Sequence, residues 1–258
     1  MPYVELHACS AFSFLRGGSF PEQLAETAAE LEMPAMALLD RNGVYGAQRF
    51  AVAAREHGVR PIVGAELTME DGSALPVLVK TRRGYENLCE VLTQAHLRST
   101  EKGECAVQWN ELPEFADGLV ALLGSTGCQP VVCRSLRQTS TRPQRARKMS
   151  IRQTAECDGL TARAPRNPAD RAQLLVNIFG RENVYIEIQR HFVRGEDRVN
   201  QQLCDLAEQH RLSVIATNGI QYARPYGRQV LDVFTCIREH THLDAAGKLL
   251  TQNAERHL

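Results

Sequence analysis

Short apolar or β-branched runs alternate with longer stretches of helical period from one end of the chain to the other, the order expected of successive βα units. A very short strand precedes "ELHACSAFSF", Glu5 to Phe14. The first helix is expected from Ser19, whose hydroxyl would cap while Glu22 reaches back, with Pro21 in the first turn and Leu24, Ala28 and Leu31 as the inner stripe. Met33-Pro34 ends it. Ala35 to Asp40, "AMALLD", is apolar until its last residue, as in a strand covered on both faces. The next helix runs from about Val44 to His57, with Tyr45, Phe50, Val52 and Ala53 available for packing and Gly58 as its stop. Further strands are expected at Arg60 to Glu66, Leu75 to Lys80, Gly118 to Leu123, Val184 to Gln189 and Ser213 to Asn218. Helical sequence fills Gly84 to Ala95, Ala169 to Phe179 and Gly195 to His210.

Seven strands with mostly helical crossovers predict an α/β fold, either a parallel barrel or a doubly wound sheet. Polar residues favour the barrel: His7, Asp40, Glu66, His191 and Asn218 fall at or just past the C-terminal ends of predicted strands. In a closed barrel those ends meet at one mouth.

One stretch breaks the pattern. Ser125 to Pro168 holds no sustained period of 2 or 3.6, and between Arg134 and Arg152 it has basic residues and no acidic ones. Such a segment buries too little apolar area to offset its ordering entropy, so it is expected to be mobile. Arg142, Arg145, Arg147 and Lys148 are its candidate DNA contacts; a solvated insertion without a partner is the plainer reading.

Composition adds bounds. Lys+Arg and Asp+Glu are both 30, so overall charge points to neither a nucleic acid nor a membrane. The eight cysteines form no CxxC pair, which reads as reduced thiols in a cytoplasmic protein. No apolar run approaches the ~20 residues of a bilayer span, and no membrane partner is expected. Cys89, Cys204 and Cys236 read as small packing residues, Trp109 as a packing anchor, and His57, His210 and His240 as helix-end residues. Cys128 and Cys133 lack partners at zinc-finger spacing. "NAERHL" at the end reads as an uncapped helix, as in a piece of something longer.

Taken in order, "ELHACSAFSFLRGGSFPEQL", "ALLDRNGVYGA", "IVGAEL", "GYENLCEVLT", "VYIEIQRH", "VIATNGIQYA" and "DVFTCIREHTHLDAAGKLL" resemble the PHP (polymerase and histidinol phosphatase) domain of bacterial error-prone C-family DNA polymerases, relatives of the DNA polymerase III α subunit. The resemblance covers about Pro2 to Gly124 and Ala169 to Leu258. It implies a distorted seven-stranded (β/α) barrel of PHP type, closed around a mouth at the C-terminal strand ends. It divides the chain into a first barrel part at 1–124, the atypical basic segment at 125–168, a second barrel part at 169–240 and, at 241–258, the start of a connection to a polymerase region. The 125–168 segment does not resemble the family, leaving a real insertion and a shifted reading frame as alternatives.

Active members of the family hold divalent ions on a His-x-His, an Asp-His, a Glu, further His or Cys residues and a late Asp-x-His. Carried over residue by residue, the resemblance leaves His7, Cys9, Asp40, Glu66 and His191 as remnant metal-site candidates. Arg41, Gly219 and Gln221 stand where a histidine, an aspartate and a histidine belong. A guanidinium cannot coordinate, so the full cluster is not expected. A single Zn²⁺ on His7, Cys9 and one further donor is the remaining metal option. The competing expectation is that Arg41 pairs with Asp40 or Glu66 and fills the mouth with ion pairs.

The resemblance implies a parent enzyme that uses Mg²⁺ and dNTPs at palm aspartates outside this sequence. Its partners would be DNA, a sliding clamp and translesion accessory proteins. The fragment itself is expected to carry no catalytic residue and no cofactor. A metal-dependent phosphoesterase or 3′-5′ proofreading nuclease is the alternative.

Overall fold

The computed structural model describes residues 2–99, 105–124 and 167–258. The candidate DNA contacts Arg142, Arg145, Arg147 and Lys148, together with Cys128 and Cys133, lie outside them, as does nearly all of the expected mobile segment.

Seven strands form one sheet in chain order: β1 (Glu5–Ala8), β2 (Ala35–Arg41), β3 (Arg60–Thr68), β4 (Ala74–Val79), β5 (Leu119–Gly124), β6 (Val184–Ile188) and β7 (Ser213–Ala216). The helices are α1 (Pro21–Glu30), α2 (Ala47–Glu56), α3 (Arg82–Arg98), α4 (Leu112–Phe115), α5 (Pro168–Phe179), α6 (Glu196–His210), α7 (Gly227–Arg238) and α8 (Leu243–Ala246). All seven expected strands are present, six of them within two residues of the bounds read from the sequence; the first, expected just before Glu5, instead runs Glu5–Ala8.

The all-parallel expectation is corrected at β4, which pairs antiparallel with both β3 and β5; the other neighbours are parallel. Chain length forces this. Only Met69 to Ser73 separate β3 from β4, too few for a crossover helix, and Asp71-Gly72 supplies the hairpin turn with Gly72 at φ 79°.

Closure is also corrected. Among the described residues no ladder joins β7 to β1, so the sheet is curled and open at that seam. The segment after β7 stitches the gap instead: Ile220 N–H donates to His7 O and Cys9 N–H to Ile220 O.

Strand alternation divides the core. Met36 and Leu38 of β2 pack outward with Leu24, Ala28 and Phe50 of α1 and α2. Ala37 and Leu39 point inward with Leu78, Leu122, Tyr185 and Ile215. The largest outer cluster runs from β3–β6 to α3, α5 and α6 and contains Trp109, buried as expected for an anchor.

Three local readings fail. Ser19 does not cap α1; its hydroxyl accepts from Ala223 N–H, and Gln23 rather than Glu22 accepts from Phe20 N–H at the helix start. Tyr45 and Val52 are exposed while Phe50 and Ala53 are buried, because α2 begins at Ala47 and turns 45 and 52 away from the sheet. Residues 251–258 are not helical. They fold back over the seam, where Tyr222 bridges His257 and Asn218 donates to the carbonyls of Glu255 and His257. No helix among the described residues is long and apolar enough to cross a membrane.

Candidate functional site

A cavity of about 560 Å³ opens at the C-terminal ends of β1–β3 and is lined by His7, Cys9, Arg41, Glu66, Gly219 and Gln221, among others. Six of the eight positions singled out from the sequence therefore share one pocket. Asp40 and His191 do not line it.

Alternation explains Asp40. Residue 41 shares the inner face of β2 with 39 and 37, so 40 faces the helices. There its carboxylate accepts from Ser10 N–H, the hydroxyls of Ser10 and Ser13, and Gly46 N–H. Its acceptor capacity is spent on holding the β1–α1 loop and the start of α2. His191 lies three residues beyond β6. Its Nε2 is 2.7 Å from Asn218 O and its Nδ1 3.2 Å from Glu196 Oε1. Burial and then the nearby Arg256 push its pKa down.

The floor of the cavity is a buried ion-pair cluster. His7 Nδ1 lies 2.6 Å from Glu187 Oε1 and its Nε2 3.5 Å from Glu66 Oε2; Arg41 Nη1 lies 3.1 Å from Glu66 Oε1. Of the two partners expected for Arg41, the structure places it on Glu66. Burial opposes charge on His7, but Glu187 and then Glu66 outweigh it and hold the imidazolium up to about 10. Burial likewise opposes the Glu66 carboxylate, yet His7 and Arg41 bring it down to about 2. Glu187 is lowered against its burial by His7 and by hydrogen bonds from Thr217 and Gln189. Cys9 behaves oppositely: burial, then Asp40 and Glu66, push the thiol up, so it stays protonated.

These shifts set a pH profile. The histidine's folded pKa lies above its ordinary 6.5, so its contribution to stability is complete below about pH 6.5 and fades as pH rises towards about 10. The folded pKa of Glu66 lies below its ordinary 4.5, so its contribution is present above about pH 4.5 and is lost as pH falls through about 2. The cluster is therefore expected to stabilise most between about pH 4.5 and 6.5, read as urea midpoints across pH 3 to 9; midpoints still rising from pH 7 to 9 would contradict the pairing.

Glu187 went unnoticed in the sequence, although "VYIEIQ" carries its signal. Val184, Ile186 and Ile188 alternate with Tyr185, Glu187 and Gln189, and period two puts the second set inside. Gly219 is the other informative position. Its φ is +57°, and a Cβ there would lie 2.8 Å from Gln189 Nε2, so an aspartate in its place would meet both backbone strain and the glutamine.

The donors as the chain holds them do not fit a metal cluster. Both nitrogens of His7 face carboxylates, Cys9 is a thiol, Glu66 is shared with a guanidinium, and Asp40 and His191 are spent elsewhere. Among the described residues no group of three or more His, Cys, Asp or Glu is placed to hold a metal ion.

This sheet, with its polar residues gathered at the strand ends, is that of a PHP domain, and the chain belongs to that family, matching it over residues 5–191. Within the family, the sequence is 38% identical over 268 residues to an error-prone DNA polymerase of Mycolicibacterium paratuberculosis, covering 100% of this chain and 22% of that protein. It is 33% identical over 256 residues to an error-prone DNA polymerase of Cutibacterium acnes, covering 95% of this chain and 20% of that protein. The chain thus spans about a fifth of the length of these relatives. A solved amidohydrolase of Chromobacterium violaceum superposes at a TM-score of 0.47 with 13% identity, over 85% of this chain and 87% of that one.

Proposed function

We propose that the chain is the amino-terminal PHP module of an error-prone DNA polymerase, acting in replication and damage-induced translesion repair synthesis, with its metal site degenerate and its role mainly structural. Identity to error-prone polymerases across the whole chain supports the parentage. One observation carries the loss of the metal site: the Arg41 guanidinium sits inside the cavity on Glu66. A fixed positive charge there repels the cations that the family's cluster gathers.

In this reading the parent enzyme takes DNA, dNTPs and Mg²⁺ at a site outside this chain, works with a sliding clamp and translesion accessory proteins, and is cytoplasmic. The curled sheet supplies a rigid body for the polymerase to pack on.

Two measurements test it. The full-length protein is expected to extend a primed template with dNTPs and Mg²⁺ while this chain alone does not; failure of the full-length protein would remove the polymerase parentage. The purified chain is expected to hold less than one equivalent of zinc or manganese. Stoichiometric metal, with phosphatase or 3′-5′ nuclease activity abolished by Glu66→Ala, would establish the phosphoesterase alternative.

A further inference from the structure

Part of the cavity wall is laid on from the far end of the chain. Residues 251–258 rest on the segment that stitches the seam between β7 and β1, and Thr251 and Arg256 among them line the cavity. Their anchorage is uneven. Thr251 is pinned to α7: its N–H and hydroxyl donate to Asp232 Oδ1 at 3.2 and 2.9 Å, and its carbonyl accepts from Arg228 Nη2 at 2.8 Å. The chain then bends through 252–254. Beyond Thr251 the contacts are mostly polar. Asn218 Nδ2 donates to Glu255 O and His257 O at 2.7 and 2.8 Å, and the N–H groups of Gln221 and Tyr222 donate to Arg256 O at 3.0 and 3.4 Å. Asn253 Nδ2 donates to His191 O, and Leu258 packs, partly buried, on the apolar cluster of β2, α1 and α2.

No residue of 251–258 is buried, so lifting the segment exposes little apolar surface and breaks mainly these few hydrogen bonds. Openings of that kind lie well below the free energy of global unfolding. Arg256 works against closure. It is partly buried, its Nη1 makes a 3.5 Å contact to Gly219 O, and it has no carboxylate within ion-pair distance among the described residues. Burial lowers its pKa, as expected of a guanidinium drawn out of water without a partner. Closed, the segment brings an unpaired positive charge into the cavity wall; lifted, it returns that charge to water.

We propose that residues 252–258 are a lid, hinged at Thr251, whose closure completes the cavity wall with Arg256 and whose opening leaves the rest of the fold intact. The position of the lid then sets both access to the cavity and the charge at its wall.

Amide hydrogen exchange of the full chain, read residue by residue by NMR, tests this. The Gln221 and Tyr222 amides report the lid, and the Val107 amide, which donates to Thr68 O at the end of β3, reports the rest of the fold. Asn218→Ala removes both side-chain bonds to the lid and should speed exchange at 221 and 222 at least about tenfold, with 107 unchanged. Arg256→Met keeps the length of the side chain without its charge and should slow the same two amides at least about threefold. Alkylation of Cys9, which lines the cavity, should be at least about fivefold faster in Asn218→Ala, followed with iodoacetamide by the mass of its peptide. Equal acceleration at 107 would mean global unfolding in place of a lid. Unchanged exchange at 221 and 222, or unchanged Cys9 alkylation with the lid released, would overturn the proposal. Unchanged or faster exchange in Arg256→Met would do the same, by showing that the guanidinium does not oppose closure. Should Asn218→Ala fail to fold, the two amides in Arg256→Met decide the matter alone.

Discussion

Replacing His7 with leucine is expected to cost the chain about 3–5 kcal/mol of folding stability, measured as the shift in urea unfolding at pH 6. The physical reason is the carboxylate left behind. Glu187 is fully buried, accepts from His7, Gln189 and Thr217 through Oε1, and has no partner for Oε2 among the described residues. Without the imidazolium, the main influence that lowers its pKa is gone, and Glu187 must either stay charged in the interior or take up a proton and lose the charge-assisted bonds from Thr217 and Gln189. The double variant His7→Leu/Glu187→Met removes both charges and should recover most of the loss, because a buried pair is often no more stable than the apolar residues that could replace it. A single variant within about 1 kcal/mol of the parent would show that the pair is not buried as described. In the His7→Leu variant the fall in stability between pH 6.5 and 9 should also flatten, since the group that deprotonates there in the unfolded chain but not in the folded one is gone.

The strands were legible because each is a compact apolar or β-branched run with turn residues beside it. Their direction and closure were not, because those depend on connections and on pairing rather than on any one run. The short link through Asp71-Gly72 did carry the antiparallel hairpin, but it was outweighed by the βα rhythm around it. At the site, position in a strand was read while side-chain parity was not. Parity separates Asp40 from Arg41 and puts Glu187 and Gln189 inside; counting strand ends alone put Asp40 and His191 at the mouth. Residue chemistry put Arg41 on Asp40 or Glu66 without deciding between them; side-chain parity along β2 removes Asp40 and leaves Glu66. What no local pattern shows is the return of Arg256 from the far end of the chain to the same cavity, because that contact depends on how the last eight residues cross the seam.

Asp40 offers the sharpest separation between a metal ligand and a structural acid. Its carboxylate satisfies Ser10 N–H and Gly46 N–H, both buried, and orders the hydroxyls of Ser10 and Ser13. Gly46 is the N-cap of α2, so the negative charge also lies against the positive end of that helix. A Cβ on Gly46 would come within 2.7 Å of Asp40 Oδ2, so the approach is made by backbone alone. Asp40→Ala strands two buried donors and frees two hydroxyls, and is expected to destabilise the chain by roughly 3–5 kcal/mol. Asp40→Asn retains an acceptor but loses the charge and should cost only about 1–2 kcal/mol. Thermal unfolding of all three proteins in EDTA, and again with added Zn²⁺ or Mn²⁺, distinguishes the two roles. A capping acid gives the same losses under both conditions, whereas a metal ligand would show a loss that grows when metal is present, because only the parent could then gain binding energy. We expect identical losses; a penalty confined to the metal-containing samples would return Asp40 to the ligand set.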